Sequence, residues 1–151
     1  MNDQRTAFAI YQNLLDRIDD SLAQADFHKY LSCVCIPHAL ITTDVLFSIN
    51  TKKEFAIIFK KTRQNLKLKN ISGLTRHCLG AHFENENTIV AKHETRLITD
   101  KLIIQESFVA VSTLIQVEGN WRAQQTQYNC SSISLPVDLS DLERSRLLET
   151  S

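Results

Sequence analysis

The feature that most constrains the fold is a change of sequence period at Leu74. From there onward, polar and apolar residues alternate through four long segments: LTRHCLGAHFE, TIVAKHETRLIT, IIQESFVAVSTLIQV and WRAQQTQYN. Alternation with a period of two is typical of β-strands that bury one face. Because the linking turns ENEN, DK and EGN are short, they can join only antiparallel neighbours. The pattern therefore predicts an antiparallel meander that ends near Asn129.

Before Leu74 the sequence period is mostly helical. Apolar residues recur every three or four positions over residues 4 to 23, which predicts an amphipathic first helix. A shorter second helix is expected from about Asp26 to Cys35. It should end before Pro37, because proline disfavours the helical conformation in the residue that precedes it. The segment HALITTDVLFSI is rich in β-branched and aromatic residues and predicts a short, bent strand pair.

A third helix is predicted over residues 52 to 69. Thr51 can cap it, and Glu54 can reach back to the amide of Thr51 in a capping box. The segment carries seven basic residues and one acidic residue, Glu54. A solvated helix face is the interpretation we favour, and a docking surface for an acidic partner is the alternative.

Length and composition fit one domain and a tail. The 151 residues are 43% hydrophobic, which is enough for a core, and three glycines and two prolines leave no linker. We therefore expect one domain over residues 1–130 and a tail over residues 131–151, in which Ser140 and Glu143 can cap a short helix. Seventeen basic and seventeen acidic residues cancel, so neither nucleic acid nor a membrane is an expected partner.

The N-terminus and the cysteines favour a cytoplasmic protein. The first residues, MNDQRTAF, lack the apolar stretch of a signal peptide, and no segment has the roughly 18 apolar residues that span a bilayer. Cys33 and Cys35 would point to different sides of the second helix, so they are poor partners for one disulfide or one metal ion. We expect reduced, mostly buried thiols at all four cysteines, Cys33, Cys35, Cys78 and Cys130.

Charge along the second long strand predicts which face of the sheet is buried. One face carries the charged residues Lys92, Glu94 and Arg96. The other face, which should lie against the helices, carries Ala91, His93, Thr95 and Leu97. The same alternation on the neighbouring strands predicts an inner wall made of His77, Leu79, Ala81, Phe83, Val109, Val111, Thr113, Ile115, Val117, Trp121, Ala123, Gln125 and Gln127. Arg76, His82 and Glu84 should then point outward.

This predicted inner wall contains a polar cluster. Pairing across the ENEN turn places His77 opposite His93, and a shift of one step leaves the two imidazoles diagonal but in reach. The third long strand would bring Ser107 and Thr113 to the same side. Histidine suits acid–base work because its pKa is close to cellular pH. The alternative is that each histidine is a hydrogen-bonded core residue without a catalytic role.

The candidate site is accordingly a pocket within the sheet and helices. The residues that we predict to bind a ligand there are Tyr30, Thr95, Ser107, Thr113, Trp121 and Gln125, and His93 and His77 are catalytic candidates. A metal site would need a third ligand, for which only His38 is available, and the spacing matches no zinc motif. We therefore expect neither a metal ion nor another cofactor.

The order of these elements resembles the nuclear transport factor 2-like superfamily. That superfamily has the cystatin-like cone fold shared by SnoaL-like cyclases, ketosteroid isomerases and ring-hydroxylating dioxygenase beta subunits. The resemblance covers residues 4 to 129 and also rests on QADFHKYLSCVCIPHALITT, the capped helix at Thr51 and the EGNWRA turn. It implies an α+β cone, in which N-terminal helices pack on the concave face of a strongly curved, mostly antiparallel sheet.

A homodimer through the outer sheet face is a second implication of the resemblance. The predicted outer face supports it, because an apolar strip rimmed by charges usually marks an interface. The residues of that predicted strip are Phe108, Ala110, Leu114, Tyr128, Arg76, Glu94, Arg96 and Glu106.

The catalytic residues of these families carry over only in part. We do not expect the chemistry of ketosteroid isomerases, because two of their three catalytic positions are lost: their third-strand aspartate matches Thr113 and their first-helix tyrosine would fall near Ile18. Their acid–base aspartate falls in the stretch ITTD, which makes Asp44 an approximate counterpart. In SnoaL-like cyclases an inward acid–base group does this work, a role that His77, His93 or Asp44 could fill.

We expect a SnoaL-like protein that binds a small apolar or carbonyl-containing molecule in the cone. The first alternative is an isomerase, cyclase or dehydratase that uses a pocket histidine as general base. The second alternative is a structural or partner-binding subunit with a filled cone. Cavity volume should separate these cases, because roughly a few hundred cubic ångströms are needed for a typical ligand.

Overall fold

The computed structural model describes residues 4–99 and 107–130. The helices are α1 (Gln4–Gln24), α2 (Phe27–Leu31) and α3 (Lys52–Leu68). The strands are β1 (Val34–Ile41), β2 (Leu46–Ile49), β3 (Ile71–Asn85), β4 (Thr88–Thr99), β5 (Phe108–Val117) and β6 (Asn120–Tyr128). The predicted tail over residues 131–151 and its short helix lie outside the described residues. None of the described helices is both long and apolar enough to cross a bilayer.

The six strands form one sheet in the order β2-β1-β6-β5-β4-β3. Every neighbouring pair is antiparallel except β1 with β6. The meander predicted from the period of two corresponds to β3 through β6, and the predicted bent strand pair corresponds to β1 and β2. Helices α1 and α3 cover one face of this curved sheet, so the predicted α+β cone is confirmed.

The buried side chains form two hydrophobic clusters. The first, the α3 cluster, joins α3 to the sheet through Val34, Leu40, Phe47, Ile49, Phe55, Ile58, Leu97 and Phe108. The second, the α1 cluster, joins α1 to the meander through Ala7, Tyr11, Leu14, Leu15, Cys33, Cys78, Ile89, Ala91, Leu114 and Ala123. The apolar stripe predicted for the first helix thus packs against the sheet.

The capping prediction for the third helix is confirmed, with one adjustment. Thr51 Oγ1 accepts a hydrogen bond from the amide of Glu54 at 3.1 Å. The Glu54 carboxylate accepts one from the amide of Asn50 at 2.8 Å, one residue before the amide that we predicted. The amide of Glu54, which helix formation leaves without a partner, is thereby satisfied, and so is the amide of Asn50 just before the cap.

The second helix is shorter than predicted. It ends at Leu31, and Cys35 and Pro37 lie in β1 rather than in or just after a helix. The reason is tertiary, because Val34 pairs with Ala123 of β6 and this pairing takes the backbone into the sheet. The argument that Cys33 and Cys35 lie on opposite sides of a helix is therefore wrong.

The inner face of β4 is as predicted, but the two faces of β5 are exchanged. Antiparallel partners share a face, and His93 pairs with Ala110 while Ala91 pairs with Ser112. The buried residues of β5 are accordingly Phe108, Ala110, Ser112 and Leu114. The valines that we predicted to be inside face outward. The prediction failed because it preferred branched apolar side chains for the interior and left Ser112 outside.

A β-bulge changes the face of β3 part-way along the strand. The register with β4 passes from Cys78–His93 to Gly80–Lys92, so Leu79 is an extra residue. Residues on the two sides of a bulge differ by one step in alternation. Ala81 and Phe83 therefore face inward as predicted, whereas Arg76 and Cys78 occupy the inner positions predicted for His77 and Leu79.

A second bulge has the same effect in β6. Thr113 of β5 pairs with Gln125 and Leu114 pairs with Ala123, which leaves Gln124 as the extra residue. Beyond it the inner positions belong to Thr126 and Tyr128 rather than to Gln125 and Gln127. Of the outer strip predicted for a homodimer, Glu94 and Arg96 lie on the outer face, but the apolar residues and Arg76 do not. Phe108, Ala110, Leu114, Tyr128 and Arg76 all face inward, and Glu106 lies outside the described residues.

Candidate functional site

An internal cavity of about 100 Å³ lies between the α1 cluster and the α3 cluster. All three helices and all six strands contribute side chains to its wall, so the cavity is the interior of the cone. Most of the wall is apolar. The polar side chains that matter below are Tyr11, Tyr30, Arg76, His93, Ser112 and Tyr128.

One polar group on this wall is a hydrogen-bonded set that joins α1 to two strands. The Tyr11 hydroxyl contacts Nδ1 of His93 and donates to Oγ of Ser112 at 2.8 Å. A phenol has one hydrogen, and here Ser112 receives it. Nδ1 of His93 must then carry the imidazole proton, which leaves a lone pair on Nε2. Burial raises the pKa of Tyr11, so the phenol stays protonated.

His93 is held in its neutral form. It is 3% exposed, and burial, assisted by the positive charge of Arg76, lowers its pKa to about 3. Its Nε2 atom is buried and has no hydrogen-bond partner among the described residues. A buried polar atom without a partner is costly, so this nitrogen is a ready acceptor for a group that enters the cone.

A second polar group on the wall is Arg76, which forms an ion pair with Asp19 of α1 behind the wall. Their side chains are only 12% and 17% exposed. Burial raises the pKa of Asp19, although the charge of Arg76 acts in the opposite direction. Burial by itself would lower the pKa of Arg76, but the combined effects of Asp19, Tyr128 and Tyr30 outweigh it, and the net shift is upward. The cone therefore contains a permanent guanidinium charge.

Two further phenols line the cavity, Tyr30 of α2 and Tyr128 of β6. Burial raises the pKa of both. Tyr30 was predicted to bind a ligand, and its ring packs against Phe55 and Phe59 at centroid distances of 6.0 and 5.1 Å. The structure thus places this predicted residue on the cavity wall.

His38 also lines the cavity but is already engaged. Its Nδ1 donates to the carbonyl oxygen of Ala123 at 3.0 Å, and its Nε2 lies 3.4 Å from the hydroxyl of Thr126. Burial lowers its pKa. In the described part of the chain no three residues of the types His, Cys, Asp and Glu come together as a metal site.

The predicted histidine pair is not formed. His77 pairs with Glu94 rather than with His93, and its side chain is exposed on the outer face. The bulge at Leu79 is the cause, since it shifts His77 out of the inner alternation. Asp44 is also exposed, in the turn between β1 and β2, where its carboxylate accepts from the Thr42 hydroxyl at 2.8 Å. The structure therefore places His93 alone of the three catalytic candidates on the cavity.

The other predicted ligand-binding residues lie elsewhere. Ser107 is exposed, and Thr113 and Gln125 pair with each other across β5 and β6, on the face away from the cavity. Thr95 is fully buried next to His93, but its side chain is not part of the cavity wall. Trp121 packs in the α1 cluster against Phe83, with ring centroids 5.9 Å apart.

Three residues that the sequence interpretation missed carry the polar part of the site. Tyr11 was assigned to the apolar stripe of the first helix. Its hydroxyl, among leucine side chains, was the sequence feature that could have indicated a polar role. Ser112 and Arg76 were assigned to the outer face. Only the strand pairing and the bulge place them inside.

Comparison with known proteins bears on the fold. Neither a protein-family model nor a curated protein matches the chain. Among solved structures, a Nostoc punctiforme protein of unknown function with a cystatin-like fold is 19% identical, with a TM-score of 0.59 over 85% of this chain and 92% of that one. A nuclear transport factor 2-like protein of unknown function from Shewanella oneidensis is 13% identical, with a TM-score of 0.61 over 80% and 97%.

The chain has the nuclear transport factor 2-like fold. A superfamily protein from Salmonella enterica agrees, with 13% identity and a TM-score of 0.57 over 87% of this chain and 95% of that one. At these identities the likeness concerns the backbone only. The chemistry of the nuclear transport factor 2-like cone must therefore be argued from its own side chains.

Proposed function

We propose that this nuclear transport factor 2-like cone binds a small molecule that carries a carbonyl group. One observation carries the proposal. In a mostly apolar internal cavity, the guanidinium of Arg76 can donate to a carbonyl oxygen, and on the same wall the partnerless buried Nε2 of His93 can accept from an O–H or N–H group of the same ligand. An apolar cavity with a few convergent polar groups is the usual form of a ligand site.

The cavity volume limits the ligand to a compact molecule. About 100 Å³ is well below the roughly 300–1,000 Å³ of pockets that take drug-sized ligands, so by volume alone the alternative of a filled cone is favoured over a typical ligand pocket. The cavity volume corresponds to a few water molecules at ~30 Å³ each. A molecule with one polar group and a short apolar part fits this space and this wall.

Binding is better supported than general-base catalysis. A general base works best when its pKa is near the working pH. The pKa of His93 is lowered to about 3, so its imidazole is a weak base at neutral pH. An isomerase, cyclase or dehydratase that depends on His93 is therefore the second candidate.

A location in the cytoplasm stays a prediction from the sequence.

We also propose that the protein pairs with a second copy through the outer face of the sheet. That face of β5 carries the β-branched residues Val109, Val111, Thr113, Ile115 and Val117. Val111 and Val117 are 39% and 37% exposed. An apolar stripe of this kind on a sheet surface favours an interface.

Methyl NMR tests the binding proposal. Cyclopentanone and acetone are the probes, and Ile49 and Ile58 report from the cavity wall. The matched control is Ile89, which is fully buried in the α1 cluster but does not line the cavity. We expect saturable shifts at Ile49 and Ile58 and none at Ile89. Native mass spectrometry should also reveal any molecule that co-purifies. The proposal fails if neither the two ketones nor a short carboxylate such as propionate shifts Ile49 or Ile58, and if no molecule co-purifies.

A further inference from the structure

We propose that the ligand class of the cone is a short monocarboxylic acid, which binds Arg76 and takes up one proton as it binds. This inference rests on the proposed function, because it names the chemistry of the molecule in the same cavity. It assigns recognition to Arg76, which the sequence interpretation had placed on the outer face of the sheet.

Arg76 has the donors that a carboxyl group needs. A guanidinium presents five N–H donors in a planar fork. Within the described residues its side chain makes one such contact, from Nη1 to Oδ1 of Asp19. The remaining donors belong to a side chain that lines the cavity. Arginine matches carboxyl groups in two-point geometry, which makes the carboxyl group a better fit than an isolated ketone oxygen.

The rest of the cavity fits a short alkyl chain. Its wall also includes Leu40, Ile49, Phe55 and Ile58 of the α3 cluster. These side chains offer no hydrogen bonds and would exclude a second charged group. The small volume then limits the chain to a few carbons.

Charge balance requires a proton. Asp19 already neutralises Arg76, so an added carboxylate would leave one uncompensated negative charge in a buried site, at a large desolvation cost. The titratable groups around Arg76, taken over all elements that line the cavity or the adjoining surface cleft, are Tyr11, Asp16, Asp19, Asp20, Tyr30, His38, His77, Cys78, His93 and Tyr128. Helix α3 contributes Thr62, which does not titrate. His38 and His93 line the cavity and Asp19 contacts Arg76 from the adjoining cleft; each of the three can accept a proton, and the ligand can also arrive as the acid.

Isothermal titration calorimetry on the full chain tests the ligand class. The probes are propionate and butyrate, with propionamide and butyramide as neutral molecules of the same shape. Titrations at pH 5.5, 6.5 and 7.5, each in two buffers of different ionisation enthalpy, give the number of protons taken up. We expect the carboxylates to bind with uptake of one proton, and the affinity for the anion to rise about tenfold per unit fall in pH. The amides should bind more weakly.

The possible failures are distinguishable. If amides or ketones bind as well as the carboxylates, or if the carboxylates bind without proton uptake, the inference is overturned and the proposed function stands. If neither the neutral nor the anionic probes bind, both are overturned.

Removing the carboxylate that competes for Arg76 gives a second test. In Asp19→Asn, Arg76 has no anionic partner, so propionate should bind about tenfold more tightly and without proton uptake. The double variant Asp19→Asn with Arg76→Gln removes both charges together and should lose propionate binding. The matched control is the ion pair between Glu94 and Arg96 on the outer face of the sheet. The double variant Glu94→Gln with Arg96→Gln should leave the propionate affinity and the proton uptake unchanged. Unchanged affinity and proton uptake in Asp19→Asn would overturn the inference, and the wild-type calorimetry decides it alone if that variant does not fold.

Discussion

The hydroxyl of Tyr11 on α1 contacts Nδ1 of His93 on β4, 82 residues further along the chain. The same hydroxyl donates to Ser112 on β5. One side chain on the helix thus holds two neighbouring strands in register and fixes the tautomer of the imidazole. The polar wall of the cavity depends on this contact.

Replacing Tyr11 with phenylalanine should destabilise the fold. Tyr11→Phe leaves the buried Nδ1 of His93 and Oγ of Ser112 without their shared partner, at a cost of about 1–3 kcal/mol in the free energy of unfolding. Urea unfolding followed by Trp121 fluorescence measures it. The matched control is Tyr30→Phe, which removes a hydroxyl that has no hydrogen bond within the described residues. Equal losses in the two variants would contradict the proposed role of the Tyr11 hydroxyl.

Stability should fall as pH falls below the ordinary pKa of histidine. Unfolded His93 binds a proton with a pKa of 6.5, whereas the folded pKa is about 3, so between these values the unfolded state holds more protons. The contribution of His93 to the free energy of unfolding is therefore fully present above pH 6.5. It declines toward pH 3, by up to ~1.4 kcal/mol per pH unit. His38 acts with the same sign, since its pKa is also lowered.

The variant His93→Gln isolates the contribution of His93. Urea unfolding of wild type and variant at pH 7.5, 6.5 and 5.5 should show a shallower decline for His93→Gln, with the His38 contribution common to both. Parallel pH dependence in the two proteins would mean that His93 is not held neutral in the folded state.

Removing the cap of α3 should cost about 1 kcal/mol. Thr51→Ala leaves the amide of Glu54 without the hydroxyl that it donates to, and losses of ~0.5–2 kcal/mol are typical for such caps. Thr51→Ser keeps a hydroxyl at the same position and should retain most of the stability. Thermal and urea unfolding of both variants check this, and a serine variant as unstable as the alanine variant would argue against capping as the cause.

A charge on the outer face of β5 should separate the proposed homodimer. Val111→Lys places an ammonium group in the apolar stripe, and sedimentation equilibrium should then give the monomer mass. Because Val111 is 39% exposed, the free energy of unfolding of the monomer should change by less than ~0.5 kcal/mol. Leu68→Lys is the control, since Leu68 is 78% exposed at the end of α3, away from that face. A wild-type protein that is already monomeric would remove the proposal.

The sequence by itself determined the elements and their order. Four features could be predicted because each depends on residues that are close together in the chain. They are the apolar stripe of α1, the cap at Thr51, the four strands of the meander and the inner face of β4. The period of a strand and the chemistry of a cap are local properties. The order of those elements was also enough to predict the cone.

Only the tertiary structure decided which polar residues meet inside the cone. The bulges at Leu79 and Gln124 shift the alternation of β3 and β6 by one residue, and a bulge depends on how a strand pairs with its neighbour rather than on its own sequence. Cys35 was predicted to lie in the second helix, but the pairing of β1 with β6 places it in a strand. The bulge at Leu79 is the reason that Arg76 faces the cavity and His77 does not, whereas Ser112 faces it because β5 pairs with β4 in the register that sets Ser112 beside Ala91. A shift of one residue in register exchanges the two faces of a strand. The residues of the site could therefore be identified only from the folded structure, whereas the fold could be predicted without knowing the site.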